Sequence, residues 1–153
     1  MSDIYRIYYF NQMERMYTYK FRLYPNKEQQ DYLANVFGCC RLVYNYFLNE
    51  KKNQYKESKT SDSYNTQQSK LTKLRKTEGF EFLNAIPLQS LQCSLRNMHT
   101  AYENFFKHRS KYPKFKNRRD KQSFKMPQEQ CFKIKDYKLY IPKLKSGIDI
   151  VME

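Results

Sequence analysis

The first regular pattern along the chain is an alternation of apolar and polar residues, and it predicts a β-strand. Over residues 17–23, Tyr, Phe and Leu alternate with Thr, Lys and Arg, which is the period of a half-buried strand. The Tyr24–Pro25 step ends this strand, because proline favours extended geometry in the residue before it. Residues 1–15 show no clear period and are interpreted as an N-terminal extension.

A helical period follows this strand. Asn26 and Gln29 have the spacing of a capping box, and apolar residues then recur at intervals of three and four. Gly38 is predicted to end this first helix, since glycine is favoured just beyond helix ends. A second apolar stripe, from Cys40 to Tyr55, predicts another helix after a tight turn. The pair has the outline of a helix-turn-helix, although most antiparallel helix pairs never contact DNA.

The middle of the chain contains one strong helix between weaker signals. Residues 56–69 are polar and irregular and predict a loop, and the leucines at 71 and 74 indicate a short helix. The strongest apolar stripe begins near Pro87 and extends to Phe106. We interpret this stripe as a face that packs against other helices.

Strand patterns return near the C-terminus. Residues 131–135 and 137–141 alternate around Asp136 as a hairpin would, and residues 148–152 resemble a third strand. The order of elements predicts the α+β class, with strands before and after a helical region.

Composition and charge narrow the function classes. The chain has 153 residues, a net charge of +14 and 17% aromatic residues. It contains neither an apolar run of the ~18 residues that a membrane span needs nor a signal-peptide core. Its four cysteines include no CxxC pair, so reduced, buried thiols in a cytoplasmic protein are expected. A polyanionic partner is expected, with no membrane partner and no small-molecule substrate.

The positive charge is concentrated in one segment, residues 107–125, which we call the basic arm. It holds nine Lys or Arg residues and a single Asp. Such density is typical of segments that replace the counterions of a nucleic-acid backbone, and a solvated basic face is the alternative. Because Tyr112–Pro113 does not easily continue a helix, the arm is predicted to be extended and bent.

The literal sequence resembles the N-terminal part of one family, the TnpB (OrfB-type) proteins of bacterial insertion sequences. The resemblance runs from about residue 16 to the C-terminus. It rests on five blocks in order: YKFRLYPNKEQ at 19–29, FGCCRLVYNYFL at 37–48, LQCSLRNMHTAYENFF at 91–106, YPKFKNRR at 112–119 and LYIPKL at 139–144.

The resemblance implies an RNA-guided DNA nuclease related to type V CRISPR effectors, of which this chain is a fragment. It implies a helix-turn-helix-like recognition lobe inserted into an incomplete wedge-type β-barrel. On this basis residues 16–25 are the first wedge strand, 26–121 the recognition lobe and 122–153 the remaining wedge strands. The family's RuvC-like domain, with its Mg²⁺ and zinc ribbon, lies beyond this chain, so no catalytic residue, metal site or cofactor is expected here.

The candidate contacts to RNA scaffold and target DNA come from charge, residue type and the resemblance. The expected phosphate contacts are the cations of the basic arm and two from the family-like strings: Lys107, Arg109, Lys111, Lys114, Lys116, Arg118, Arg119, Lys121, Lys125, Arg22 and Arg41. Amides and arginine can read base edges, and the candidates for this role are Tyr64, Asn65, Gln89, Gln92 and Arg96. The candidates for base stacking are Tyr112 and Phe115.

Two residues of the family-like strings keep structural alternatives. Tyr44 is interpreted mainly as a core residue, and Asn45 as either a structural hydrogen-bonding residue or a nucleic-acid contact. For the whole chain, the alternatives to a TnpB-like binding fragment are a stand-alone helix-turn-helix DNA-binding regulator and an inactive remnant.

Overall fold

The computed structural model describes residues 4–9, 17–128 and 131–152. The elements in chain order are β1 (Ile4–Tyr9), β2 (Tyr17–Tyr24), α1 (Lys27–Ser58), α2 (Tyr64–Leu74), a 3₁₀ turn (Glu81–Ala85), α3 (Leu88–Phe106), β3 (Lys133–Lys135), β4 (Lys138–Tyr140) and β5 (Ile148–Met152). The predicted α+β class is confirmed. The described residues up to Leu33 and from Gln128 onward form a sheet unit, and those from Ala34 to Pro127 form a helical unit.

The sheet unit is built on five antiparallel strands in the order β1-β2-β5-β4-β3. Strand β2 has the predicted bounds. Strand β1 was not predicted: it lies in the supposed extension and pairs with β2 from Ile4↔Arg22 to Tyr9↔Tyr17. A period-2 signal is weak there because the sequence of the segment, IYRIYY, has no strict alternation of apolar and polar residues. In the described part of the chain the sheet is open, so the predicted barrel is not confirmed.

The predicted hairpin forms, with shorter strands than expected. Its turn residues Asp136 and Tyr137 have φ of 52° and 56°, which is the pair of left-handed residues that a type I′ turn requires. Strand β5 pairs with both β4 and β2 and buries Ile148 and Ile150 on one face. Before it, a Cβ at Gly147 would lie only 2.8 Å from the Tyr140 ring, so this position requires glycine.

The capping box at the start of α1 is confirmed. The Gln29 backbone N–H donates to Asn26 Oδ1 and the Asn26 N–H donates to Gln29 Oε1, both at 2.9 Å. The Gln29 amide also donates to Ser146 Oγ at 3.0 Å and to the Gly147 carbonyl at 3.1 Å. The cap therefore fixes both the helix start and the loop before β5.

One continuous helix replaces the predicted helix pair. Helix α1 passes through Gly38 and ends 20 residues later, at Ser58, so the turn predicted at Gly38 is wrong. The physical reason is the apolar stripe, which stays in register from Val36 through Cys40 and Val43 to Phe47, all buried. Burial of that stripe outweighs the roughly 1 kcal/mol that glycine costs in a helix relative to alanine.

The loop predicted at 56–69 is also shorter than expected. Helix α1 ends at Ser58, and the next residue, Lys59, has φ 57°. Ser63 caps α2 by accepting a hydrogen bond from the Thr66 N–H at 3.2 Å. Only residues 59–63 connect the two helices. Leucines 71 and 74 are buried, as the short predicted helix requires.

The core of the helical unit joins α1 to the long stripe of α3. The stripe is buried at Leu91, Leu95 and Met98, and the Ser94 hydroxyl donates to the Cys40 carbonyl of α1 at 2.5 Å. All four cysteines are free. Burial raises the pKa of the Cys40 thiol to about 12, which keeps this thiol protonated and unreactive.

Candidate nucleic-acid interface

The basic arm leaves α3 as irregular chain, and its first anchor is aromatic. The Tyr112 hydroxyl lies 2.7 Å from the Tyr102 hydroxyl, and the Tyr112 ring packs edge-on against Phe105 and Tyr102. Pro113 beside it is buried. The predicted bend at Tyr112–Pro113 is therefore where the arm turns back onto the helices.

A side-chain amide of α1 forms the second anchor. Asn45 Nδ2 donates to the Lys116 carbonyl and the Lys116 N–H donates to Asn45 Oδ1, both at 2.8 Å. The Lys116 ammonium lies 4.5 Å from the ring centroid of Tyr44, which is itself buried. Asn45 thus binds both the N–H and the carbonyl of Lys116, as the backbone of a neighbouring strand would. This is the structural hydrogen-bonding role that the sequence suggested for it.

The distal part of the arm is a turn attached to α1. Asn117 and Asp120 bond to each other's backbone N–H groups at 3.1 and 2.7 Å, which closes the turn. The Gln122 amide donates to the Asp120 carbonyl at 2.6 Å and accepts from Arg41 Nη1 at 2.8 Å. Phe124 completes the attachment with its ring 5.5 Å from that of Phe37.

The nine cations of the arm all lie on its exposed side. In the described residues none of them forms an ion pair with an acid, and the arm's only acid, Asp120, is engaged in the turn. The exposed cations are Lys107, Arg109, Lys111, Lys114, Lys116, Arg118, Arg119, Lys121 and Lys125. Their charge is available to an external polyanion at positions that the anchors fix.

The two remaining phosphate candidates lie in different units. Arg41 is half-buried on α1 and contacts the arm through Gln122. Arg22 is exposed on β2 of the sheet unit, in register with Ile4 and Val151. The structure therefore brings Arg41 together with the basic arm, and assigns Arg22 to the sheet.

Both stacking candidates are used to attach the arm. Tyr112 makes the aromatic anchor and remains 40% exposed. Phe115 is 47% exposed, and the Lys52 ammonium of α1 lies 4.9 Å from its ring centroid. Each ring thus has a structural partner inside the chain, which the sequence did not indicate.

Two base-reading candidates meet between α2 and α3. The Arg96 guanidinium lies 4.7 Å from the ring centroid of Tyr64, and its Nη2 is 3.4 Å from the Tyr64 hydroxyl. Asn65 is exposed beside Tyr64, and Gln89 and Gln92 are half-buried on α3. Tyr64 and Arg96, far apart in sequence, therefore form one polar cluster.

A buried amide and a histidine lie directly beneath this cluster. Gln67 is fully buried; its Oε1 lies 2.6 Å from His99 Nε2 and its Nε2 lies 3.2 Å from Glu50 Oε2. Burial lowers the pKa of His99 to about 4, and the charge of Lys51 acts in the same direction. Sequence analysis missed Gln67, although it stands four residues before Leu71, on the apolar stripe of α2.

A second group of charges joins the end of α1 to α2, and we call Glu50, Lys51, Asp62 and Lys70 the paired-charge cluster. Lys70 Nζ lies 2.6 Å from Glu50 Oε1 and 2.5 Å from Asp62 Oδ2. Lys51 is buried and donates to the Asp62 carbonyl at 2.7 Å. Hydrogen bonds from Lys70 and Gln54 lower the pKa of Asp62. These charges are therefore bonded within the helical unit, where they join α1 to the start of α2.

Comparison with known proteins shows what the chain is similar to. The helix-turn-helix domain family of OrfB-type insertion-sequence proteins matches residues 13–60. The chain is 35% identical over 133 residues to a Streptomyces pristinaespiralis protein named "Putative RNA-guided DNA endonuclease", covering 87% of this chain and 33% of that one. It is 30% identical over 132 residues to the similarly named InsQ of Escherichia coli (strain K12), covering 86% and 33%. The chain carries the OrfB-type helix-turn-helix domain.

The resemblance to the N-terminal part of TnpB is thereby confirmed, and the chain spans about a third of the length of the curated relatives it matches. Within the OrfB-type domain, the structure describes β2 and the uninterrupted helix α1. The resemblance to the family is thus correct, while the local prediction of a turn at Gly38 is not. A sequence pattern shared with helix-turn-helix proteins is here built as a strand and one long helix.

The described residues were also searched for membrane-spanning helices and for groups of metal ligands. No described helix is long and apolar enough to cross a membrane. In the described ranges, no three His, Cys, Asp or Glu side chains converge as metal ligands.

Proposed function

We propose that this chain binds nucleic acid as the N-terminal region of a TnpB-like, RNA-guided DNA endonuclease, holding the guide RNA scaffold and target DNA without cutting DNA itself. The observation that carries the proposal is the basic arm. Its nine cations are exposed and form no ion pair with any acid that the structure describes, while the chain between them is anchored to α1 and α3. Cations held this way can neutralise several consecutive phosphates.

The family relationship supports an RNA partner. The two relatives are named as RNA-guided endonucleases, and by analogy the open sheet corresponds to the wedge of the family. The free thiols agree with a reducing cytoplasm, which is the proposed location. No cofactor is proposed for this chain, because the nuclease chemistry of the family belongs to its RuvC-like domain.

The continuous α1 disfavours the alternative of a stand-alone helix-turn-helix regulator. Such regulators place the second helix of the pair in the DNA major groove. Here the segment after Gly38 continues the first helix and contributes to the core at Val43, Phe47 and Leu48. The surface that a recognition helix would present is therefore partly buried.

A competition experiment tests the proposal. The chain is titrated with the structured 3′-end transcript of its own element, in competition with duplex DNA from the element's terminus. We expect RNA to bind at least as tightly as the duplex. If about five arm cations meet phosphates, log K falls with log salt at a slope of roughly −3.5, using about 0.7 per phosphate of a single strand.

Two outcomes would contradict the proposal. A clear preference for duplex DNA would favour the regulator, and salt-independent binding would exclude the basic arm as the contact surface. Absence of nuclease activity is tested separately, by incubating the chain with Mg²⁺, the transcript and supercoiled plasmid. Specific cleavage above that of an arm-neutralised variant would show that the chain itself is catalytic.

A further inference from the structure

The helical unit carries a shallow groove that neither the sequence nor the family comparison singled out. It is lined by Gly38, Arg41, Leu42, Asn45, Tyr46 and Phe80, and we call it the aromatic groove. The Tyr46 and Phe80 rings lie 5.8 Å apart and nearly perpendicular, and Phe82 stacks on Phe80 at 6.3 Å. Tyr46 is 42% exposed and Phe82 50% exposed, so this is an open aromatic surface.

The aromatic groove adjoins the attachment of the basic arm. Asn45 lines the groove and also holds the Lys116 backbone. Arg41 lines the groove and also binds Gln122. A nucleic-acid strand with its phosphates on the arm would therefore pass directly beside exposed aromatic rings.

Gly38 is the least expected residue of the groove. Glycine inside a helix costs roughly 1 kcal/mol relative to alanine. Apart from its chain neighbours and the backbone of the helix, the nearest atom to a Cβ at Gly38 would be Arg41 Nη2, at 3.9 Å, so packing around this position does not require glycine. Gly38 lines the groove, so a larger side chain at this position would occupy part of it.

We infer that the aromatic groove receives an unstacked base of a single-stranded RNA segment whose neighbouring phosphates lie on the basic arm, an inference that rests on the proposed function. Aromatic faces and arginine are the usual platforms for unstacked bases of RNA. Tyr46, Phe80 and Phe82 supply the rings, and Arg41 supplies a cation for the adjoining phosphate. This assigns base stacking to a surface other than Tyr112 and Phe115, whose rings attach the arm.

Charge argues against a second copy of the chain as the occupant. Each copy carries a net charge of +14, and the groove lies beside the densest part of it, so two copies would repel each other there. RNA brings the opposite charge. Self-association through the groove is therefore a contrary outcome of the experiment.

The experiment measures folding stability and affinity for an oligouridine RNA on the same set of variants. Gly38→Ala and Gly38→Leu fill the groove from inside a helix. We expect the denaturation midpoint of Gly38→Ala to rise, because alanine is the better helix residue, while affinity falls. Gly38→Leu is expected to weaken binding about fivefold, and Phe82→Ala about tenfold. Tyr55→Ala, which removes another exposed aromatic residue of α1, is the matched control and should bind like wild type.

Cross-linking locates the base directly. Oligouridine that contains 4-thiouridine should form cross-links on the peptide that carries Phe80 and Phe82, and these should disappear with Gly38→Leu. If the groove variants bind like wild type, or all cross-links fall on the basic arm, the groove is not a base site, although the proposed function stands. If wild type does not bind RNA at all, both proposals fail. Loss of a concentration-dependent dimer in Phe82→Ala would assign the groove to a second copy instead.

Discussion

The basic arm and the paired-charge cluster use the same residue types for opposite purposes. In the cluster, Lys70 is held between two carboxylates and Lys51 is buried on a backbone carbonyl. In the arm, the cations are exposed and none pairs with an acid among the described residues, while the backbone and the aromatic side chains make the contacts. The charges of the cluster are paired within the folded chain, whereas the cations of the arm remain exposed, as the proposed function requires.

This difference teaches that charge density alone does not mark a binding surface. Lys51, Lys52 and Lys70 also lie close together, yet two belong to the cluster and Lys52 covers the Phe115 ring. What separates the two regions is the number of acids within reach of each cation. Mutations should therefore separate them as well, by affecting either binding or stability.

The largest expected effect is on binding by the arm. Changing Lys114, Lys116, Arg118 and Arg119 together to Ala should flatten the salt slope of RNA binding by up to roughly 3 units and weaken binding more than about a hundredfold near 0.1 M salt. Helix content should not change, because the four residues lie outside every helix. A control with the same charge change replaces four exposed lysines elsewhere in the helical unit: Lys56, Lys59, Lys73 and Lys76. An equal loss in that control would show that net charge, not the arm, determines affinity.

The cluster should show the reverse effect. Asp62→Ala removes the acceptor of Lys70 and Gln54 and is expected to lower the free energy of unfolding by about 1–2 kcal/mol, with the salt slope of RNA binding unchanged. Urea denaturation measures the first quantity. Asp31→Ala, which breaks only an exposed pair with Lys27, serves as control and should cost less than about 0.5 kcal/mol. Equal costs would mean that the cluster does not stabilise the fold.

Lowering the pH should reduce the free energy of unfolding through His99 and not through the basic arm. Because the pKa of folded His99 is about 4 and that of an unfolded histidine is about 6.5, the unfolded chain takes up the proton first as pH falls. The free energy of unfolding should therefore decrease between those two values, by about 1 kcal/mol after allowance for partial exposure. His99→Gln should remove this dependence, whereas His108→Gln, at an exposed histidine of the arm, should retain it. Identical pH profiles would exclude His99 as the source.

The smallest effect is expected at the second anchor of the arm. Asn45→Ala should weaken RNA binding about threefold and leave the salt slope unchanged, because the cations remain and only their backbone support is lost. Hydrogen exchange at the Lys116 amide should accelerate, which reports the broken bond directly. Asn49→Ala, an exposed amide on the same helix, should change neither quantity. An unchanged exchange rate at the Lys116 amide in Asn45→Ala would show that the arm is held without the second anchor.

Sequence reasoning worked best where one local pattern decides the structure. The strand at 17–24, the Asn26–Gln29 cap, the α3 stripe and the Asp136 turn all follow from period, capping or turn chemistry. It failed where contacts with distant residues decide the structure. The strand at 4–9 is defined by its pairing with β2. Helix α1 continues through Gly38 because its buried apolar stripe extends on both sides of that residue. The preference of glycine for helix ends contributes less free energy than burial of the apolar stripe of α1.

The candidate site follows the same division. The cations of the arm could be found by counting charge, and their exposure agrees with that. The roles of Tyr112 and Phe115 could not be found, because their partners Tyr102 and Lys52 come from other segments. Asn45 is the intermediate case, since its type suggested a structural bond but its partner, 71 residues away, could not be named.

The anchors of the arm also determine when its conformational entropy is lost. Contacts at Tyr112, Lys116 and Gln122 leave only short free stretches between them, so the chain is ordered as the helical unit folds. A flexible basic tail would pay that ordering cost each time it bound a strand. Under the proposed function, the spacing of its cations would act as a fixed template, and strands whose phosphates match it would gain affinity over those that must bend.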